Sequence, residues 1–285
     1  IAAASSSLGV IGSNPVANII PVKVLGDDGF GSTSSILNGV YHAINAGAKV
    51  LNMSLGSYGY PSAVEWNVYA DVYLNSDTLI VAAAGNDSSY TDGFYYNEPV
   101  LYDPYYDEYY WNDYAIDAYP SAYAFDNIIS IGNSTNDDTL NWSSNFGPGV
   151  DLFAPGTNIL SSGNLYPNHY QYFSGTSMAA PLVAGVSSGF WARNPSLSAE
   201  DVKWYLMNSV DTENSFAEFS LSGRLNVQKL YDWMDSSSAS SIGLTNTPKK
   251  ANPLPGGIEI KSNSEISFKP PSFAVRLKNV NQLSS

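Results

Sequence analysis

The sequence contains no cysteine. That removes disulfides, thiolate zinc sites and cysteine nucleophiles in one step, and leaves packing or bound ions to hold the fold. Basic residues are scarce, with 12 Lys and Arg against 26 Asp and Glu and a formal net charge of −14. So acidic a chain repels phosphate backbones and anionic lipid, so neither nucleic acid nor a membrane is expected as a partner. No apolar run is long enough to span a bilayer. Histidine occurs only at His42 and His169. The opening Ile1-Ala2-Ala3-Ala4 has no Met and no basic leader, so the N-terminus is expected to be a cut one.

What is present points to a sizeable globular domain. The 285 residues are 44% hydrophobic, enough to bury a core and too much for a disordered chain. Val22-Lys23-Val24-Leu25 reads as a short buried strand, followed by turn chemistry at Asp27-Asp28-Gly29-Phe30-Gly31. A helix is predicted from Ser32 to Gly47, a strand over Lys49 to Leu55, a helix over Glu65 to Leu74 and a strand over Leu79 to Ala84. This alternation predicts an α/β fold, a doubly wound and mostly parallel sheet with helices on both faces. Ile128 to Gly132 and Val150 to Phe153 read as later strands, and Ser177 to Ala192 and Ala199 to Met207 as later helices. Ligands of such sheets bind beyond the carboxyl ends of the strands, which places Gly56 and Asn86 near the chemistry. From Ser236 the composition turns to Ser, Pro, Asn and Lys, so residues 1–235 are expected to form one domain and 236–285 a linker or tail.

The segment richest in chemistry is Phe173-Ser174-Gly175-Thr176-Ser177-Met178-Ala179-Ala180-Pro181-Leu182-Val183-Ala184-Gly185. Ser177 stands where a loop becomes a helix, and the unpaired N–H groups of a helix start suit a developing oxyanion. A plain capping serine would look the same in isolation. The whole run, however, resembles the nucleophile motif of the subtilase family of serine peptidases, departing only at Leu182, where the family usually has His. Other landmarks follow in order: Gly9-Val10-Ile11-Gly12, Asn52-Met53-Ser54-Leu55-Gly56, Val81-Ala82-Ala83-Ala84-Gly85-Asn86, Ser143 to Pro148, Ala154-Pro155-Gly156 and Ser222 to Val227.

That resemblance, over about residues 1 to 235, implies a serine endopeptidase acting through an acyl-enzyme on Ser177. Asn86 would complete the oxyanion hole through its side-chain amide, with support from the Thr176 hydroxyl. Gly29, Phe30 and Gly31 on one side and Ser54, Leu55 and Gly56 on the other would hold an extended peptide or protein substrate. Ala83, Ala84 and Gly85 would line the S1 pocket, whose small residues are expected to admit a large P1 side chain. Asp87, with Asp92, Glu98, Asp103, Asp107 and Glu108, is expected to draw Lys or Arg there as well. From Val50 to Ala192 there are fifteen carboxylates and no Lys or Arg, and the stretch from Asp87 to Asp126 holds nine acids and eleven tyrosines. The resemblance also implies a cis bond before Pro120.

The family's catalytic Asp and His would lie before Ala2. His42 and His169 both read as surface residues, not as the base. The 285 residues are therefore expected to lack the N-terminal strands of the sheet, to fold poorly alone and to be inactive alone. No cofactor is expected for catalysis. A structural calcium is expected at Ala4, Ser6, Leu8 and Val10, and Ser121, Tyr123 and Asp151 mark a second, weaker cation site. The protein is expected to be extracellular, and a monomer when full length. Two other readings compete. A nucleotide site at Gly26, Gly29 and Gly31 lacks the third glycine of its fingerprint and a following acid. A pseudoprotease or interaction module would use the acidic, Tyr-rich loop to hold a partner.

Overall fold

The computed structural model describes residues 1–4, 9–59, 61–91, 99–103, 108–111, 117–163, 166, 169–212, 216 and 219–237. In chain order its elements are α1 (Thr33–Asn45), β1 (Val50–Met53), β2 (Ser57–Tyr58), α2 (Ala63–Asn75), β3 (Leu79–Ala83), β4 (Pro99–Asp103), β5 (Glu108–Trp111) and β6 (Ala118–Tyr119). They continue with β7 (Ile128–Ser134), β8 (Leu152–Pro155), β9 (Ile159–Ser162), β10 (Tyr170–Phe173), α3 (Thr176–Arg193), α4 (Ala199–Asn208), β11 (Val210–Asp211), β12 (Arg224–Leu225) and α5 (Val227–Ser237).

Local chemistry explains where the helices begin. Ser32 and Ser62 cap α1 and α2 by accepting the N–H groups of Ser35 and Glu65. Ser198 and Asp201 form a reciprocal capping box at α4. The main sheet runs in the order β1-β3-β7-β8-β12-β11 and is parallel except for the β11–β12 pair. β3 lies inside it and is buried along its whole length. Its alternate residues feed two cores. Leu79, Val81 and Ala83 pack with α3, α4 and Leu230 of α5, whereas Ile80 and Ala82 pack with α1, α2 and the Tyr119–Ile128 segment. The sheet is thus covered on both faces, as the alternation of elements predicts.

Two expectations need correction. Val22 to Leu25 is not a buried strand. Val22 and Val24 lie half-buried against Gly39 of α1, and the Val24 carbonyl accepts the Ser35 hydroxyl. Apolar burial by a helix gives the same sequence pattern as a strand, but a ladder also needs a backbone partner, and among the described residues this segment has none. Helix α5 is not predicted from the sequence; it begins at Val227, the last residue of the Ser222 to Val227 landmark. The Tyr119–Pro120 bond is cis, as the resemblance implies. The expected boundary at 235/236 falls inside α5, which runs to Ser237; the rest of the expected tail, from 238 onward, lies outside the described residues.

The end of the sheet is tied to α5 by Asp211. Its carboxylate pairs with Arg224 and Lys229, each at 2.8 Å, and accepts the Asn226 amide at 2.9 Å. The Lys229 hydrogen bond, then that of Asn226, holds the Asp211 carboxyl below its ordinary range. A depressed folded value adds stability above the unfolded value and loses it as pH falls through the folded one. Asp211→Asn is therefore expected to lower stability by about 1–3 kcal/mol. In urea melts across pH, that gap should hold above roughly pH 4 and close below it.

Candidate active site

Three of the stretches singled out in the sequence, Ser54–Gly56, Ala83–Asn86 and Thr176–Ser177, meet at the carboxyl ends of β1 and β3, where α3 begins. The meeting point is built by Thr176. Its side chain is fully buried, and its hydroxyl accepts the Gly85 N–H at 3.2 Å. Asn86 Oδ1 in turn accepts both the Thr176 N–H at 2.9 Å and the Thr176 hydroxyl at 3.2 Å. Two donors on one side of the amide fix its orientation, since only the oxygen can accept them. The Nδ2 hydrogens of exposed Asn86 therefore point away from this network. Gly175 makes the contact feasible: its φ is 152°, and an added Cβ would lie 3.2 Å from Asn86 Oδ1.

Ser177 is the second residue of α3, half-buried, and its N–H is one of the helix's orphan donors. Its carbonyl would normally accept the N–H of residue 181. That residue is Pro181, the sixth of the helix and so beyond the first turn, and it has no N–H to give. The Ser54 hydroxyl fills the vacancy, donating to the Ser177 carbonyl at 2.8 Å. Ser54 therefore docks the strand end after β1 onto the turn that carries the nucleophile candidate. The Ser177 hydroxyl lies 3.5 Å from the Ser54 carbonyl, too long to hold it firmly.

The other candidates divide. Ser54, Leu55 and Gly56 follow β1 in extended backbone outside any strand. Gly29, Phe30 and Gly31 form an exposed turn rather than a strand. The Gly26 N–H closes it on the Phe30 carbonyl at 2.7 Å, and the Phe30 N–H goes to Asp28. The Gly29 carbonyl and the Gly31 N–H take no part in these bonds. The Ala83 and Ala84 side chains are buried in two different cores, so only their backbone can line a pocket. Neither histidine serves Ser177: His42 is exposed in the last turn of α1, and His169 packs on Tyr166 and Gly163.

Of the four calcium candidates, Ser6 and Leu8 lie outside the described residues, while Ala4 and Val10 lie within them. Among the described residues no three His, Cys, Asp or Glu side chains gather in one place. The second cation site is overturned by Lys203. Its ammonium donates to the Ile128 carbonyl, lies 3.5 Å from the Phe125 carbonyl and pairs with Asp151 at 3.5 Å. Asp151 is fully buried and also accepts the Ser130 N–H at 2.7 Å. Tyr123 is committed elsewhere, its hydroxyl to Ser62 and Glu65. The Ser121 hydroxyl donates to the Ala118 carbonyl, so of the three candidates only Asp151 offers a charged oxygen here, and an ammonium already holds it. Sequence reading missed Lys203 because it lies 52 positions after Asp151, on a helix that reads as purely structural.

Comparison with known proteins agrees with this geometry. The family model described as "Subtilase family" matches residues 1–233. The chain is 33% identical over 228 residues to "Alkaline elastase YaB" of Bacillus sp. (strain YaB), which covers 80% of this chain and 52% of that protein. It is 33% identical over 216 residues to "Subtilisin BL" of Lederbergia lenta, covering 75% of this chain and 68% of that one. Among solved structures, a protease from Pseudoalteromonas arctica matches with a TM-score of 0.61 at 26% identity, over 79% of this chain and 65% of the other. The chain spans about half the length of relatives such as the alkaline elastase.

The caged ammonium makes a specific prediction. Lys203→Met leaves a buried carboxylate unpaired and is expected to cost about 3–5 kcal/mol in urea unfolding. Lys203→Met combined with Asp151→Leu should recover most of that loss, because no charge then remains to be compensated.

Proposed function

The chain belongs to the subtilase family, and from that premise we propose that it carries the nucleophile half of a serine endopeptidase. Ser177 attacks the scissile carbonyl, and the base and its orienting carboxylate come from residues outside these 285. The observation that supports this best is the Asn86–Thr176 network. It fixes the Asn86 amide by its oxygen and leaves the Nδ2 hydrogens free next to the start of the helix that carries Ser177, which suits a donor to a tetrahedral oxyanion.

The substrate is an extended peptide or protein segment laid between the Gly29–Gly31 turn and Ser54–Gly56, using backbone groups of each. Missing N-terminal strands belong to the same proposal. In its support, among the described residues β1 pairs only with β3 and Val22 to Leu25 has no strand partner. The 285 residues alone are then inactive, for want of a base beside the Ser177 hydroxyl. A calcium held by carbonyls around Ala4, Ser6, Leu8 and Val10 would brace the loop that precedes the sheet; it takes no part in the chemistry. An extracellular location, a monomeric full-length protein and a division into residues 1–235 and a tail are further parts of this reading.

Two substitutions test it in the full-length protein. Ser177→Ala is expected to abolish fluorophosphonate labelling and to lower kcat by about 10⁶-fold, the loss seen when a subtilisin loses its nucleophile. Labelling that persists in Ser177→Ala would refute the assignment. Asn86→Ala is expected to lower kcat by about 10²–10³-fold, the cost of this donor in a subtilisin. KM should stay nearly constant, because the donor binds the transition state and not the substrate.

A further inference from the structure

Tyr58 was not among the residues the sequence marked, yet its hydroxyl reaches the proposed S1 wall. β2 turns away from Ser54–Gly56 and pairs antiparallel with β6, which sets Tyr58 opposite Ala118 and Ser57 opposite Tyr119. An added Cβ on Gly56 would lie 3.1 Å from the Tyr119 carbonyl, so the two segments are in close contact. From this position the Tyr58 hydroxyl accepts the Asn86 N–H at 2.8 Å. On Gly85, whose φ is 108°, an added Cβ would lie 2.5 Å from that same hydroxyl and 2.3 Å from Asn145 Nδ2. Not even a methyl group fits between Tyr58 and this backbone. The phenol therefore reaches from the segment that follows Ser54–Gly56 to Gly85 and Asn86.

We propose that Tyr58 is a specificity-determining residue that closes the S1 pocket and restricts P1 to Gly, Ala or Ser. The proposal deepens the reading of Ser177 as a peptidase nucleophile and rests on it. It replaces the expectation of a large P1. Small residues along Ala83–Gly85 do not leave empty space, because a side chain from a different segment fills it.

The charge argument changes in the same way. Burial, then the hydrogen bond to the Asp87 carboxylate, pushes the Tyr58 hydroxyl up to about 12, so it stays neutral over the working range of pH. A P1 lysine is excluded by the same steric block, whatever attraction the exposed Asp87 exerts on it. The side chains of Asp92, Glu98, Asp103, Asp107 and Glu108 lie outside those described. Tyr58 itself is 44% exposed, so truncating it opens the pocket without emptying a core.

The test uses peptide substrates that differ only at P1, Ala, Phe or Lys, on the full-length protein. Active enzyme is counted by fluorophosphonate labelling of Ser177. Wild type is expected to favour P1 Ala over Phe by about 30-fold or more in kcat/KM, within the range that pocket size alone can enforce. Tyr58→Ala should reverse the order, with Phe gaining at least about 10-fold. Tyr58→Phe should keep the wild-type order, because ring volume and not the hydroxyl does the excluding. A labelled, active wild type that prefers Phe or Lys overturns the proposal and leaves the nucleophile standing, as does an unchanged order in Tyr58→Ala. If neither labelling nor hydrolysis occurs, the peptidase reading fails instead. The pocket is then read by calorimetric titration with tetrapeptides ending in Ala or Phe. Tighter binding of the Ala peptide, reversed in Tyr58→Ala, upholds the closed pocket; equal binding or none overturns it.

Discussion

The site depends on one small knot of hydrogen bonds, in which the buried Thr176 hydroxyl takes the Gly85 N–H and gives its own proton to Asn86 Oδ1. This knot joins the end of the central strand β3 to the start of α3. Without it, the strand end and the helix start would be separate loops with separate motions. With it, the Asn86 amide cannot flip, and the Ser177 backbone is held in register with β3. A preorganised donor costs no reorientation when charge develops, and that is the physical content of an oxyanion hole.

The fold supplies the rigidity behind the knot. α3 lies on the sheet through small residues, Ala179, Ala180, Val183 and Ala184, all buried against β3, β7 and β8. Close packing of this kind leaves the helix little freedom to slide. Pro181 removes a helical hydrogen bond one turn into α3, and the lost bond is replaced from outside by Ser54. A defect in one element thereby becomes a tie to another, and it places the strand end at Ser54 beside Ser177.

Charge is handled by the same logic of local satisfaction. The buried Asp151 is neutralised by a lysine from α4 instead of a bound ion, with two carbonyls completing the ammonium's shell. Asp211 is held by Arg224, Lys229 and Asn226 at the other end of the sheet. Most carboxylates of this acidic chain have no such partner nearby in sequence, so the few basic residues matter by position more than by number.

Much of this was legible before any coordinates. The helix starts follow from Ser32, Ser62 and Ser198, and the alternation of apolar runs with amphipathic ones implies a parallel sheet covered on both faces. The run around Ser177 marks a nucleophile candidate because a serine at a helix start, after glycine and before small residues, is a local pattern. Other features are not local. Val22 to Leu25 reads as a strand because side-chain burial is written in the sequence, whereas a ladder partner is not. Lys203 and Asp151 are far apart in the chain, and nothing in either neighbourhood announces the other. Tyr58 has the same character: read along the chain it is one tyrosine among 21, and only the β2–β6 pairing carries its hydroxyl to Gly85 and Asn86. The sequence by itself determined the fold class, the family and the residues that offer chemistry, because propensity, capping and motif act over a few neighbouring positions. The tertiary structure alone decided which oxygens meet a cation and how much room remains beside Asn86, because both are set by side chains arriving from distant segments.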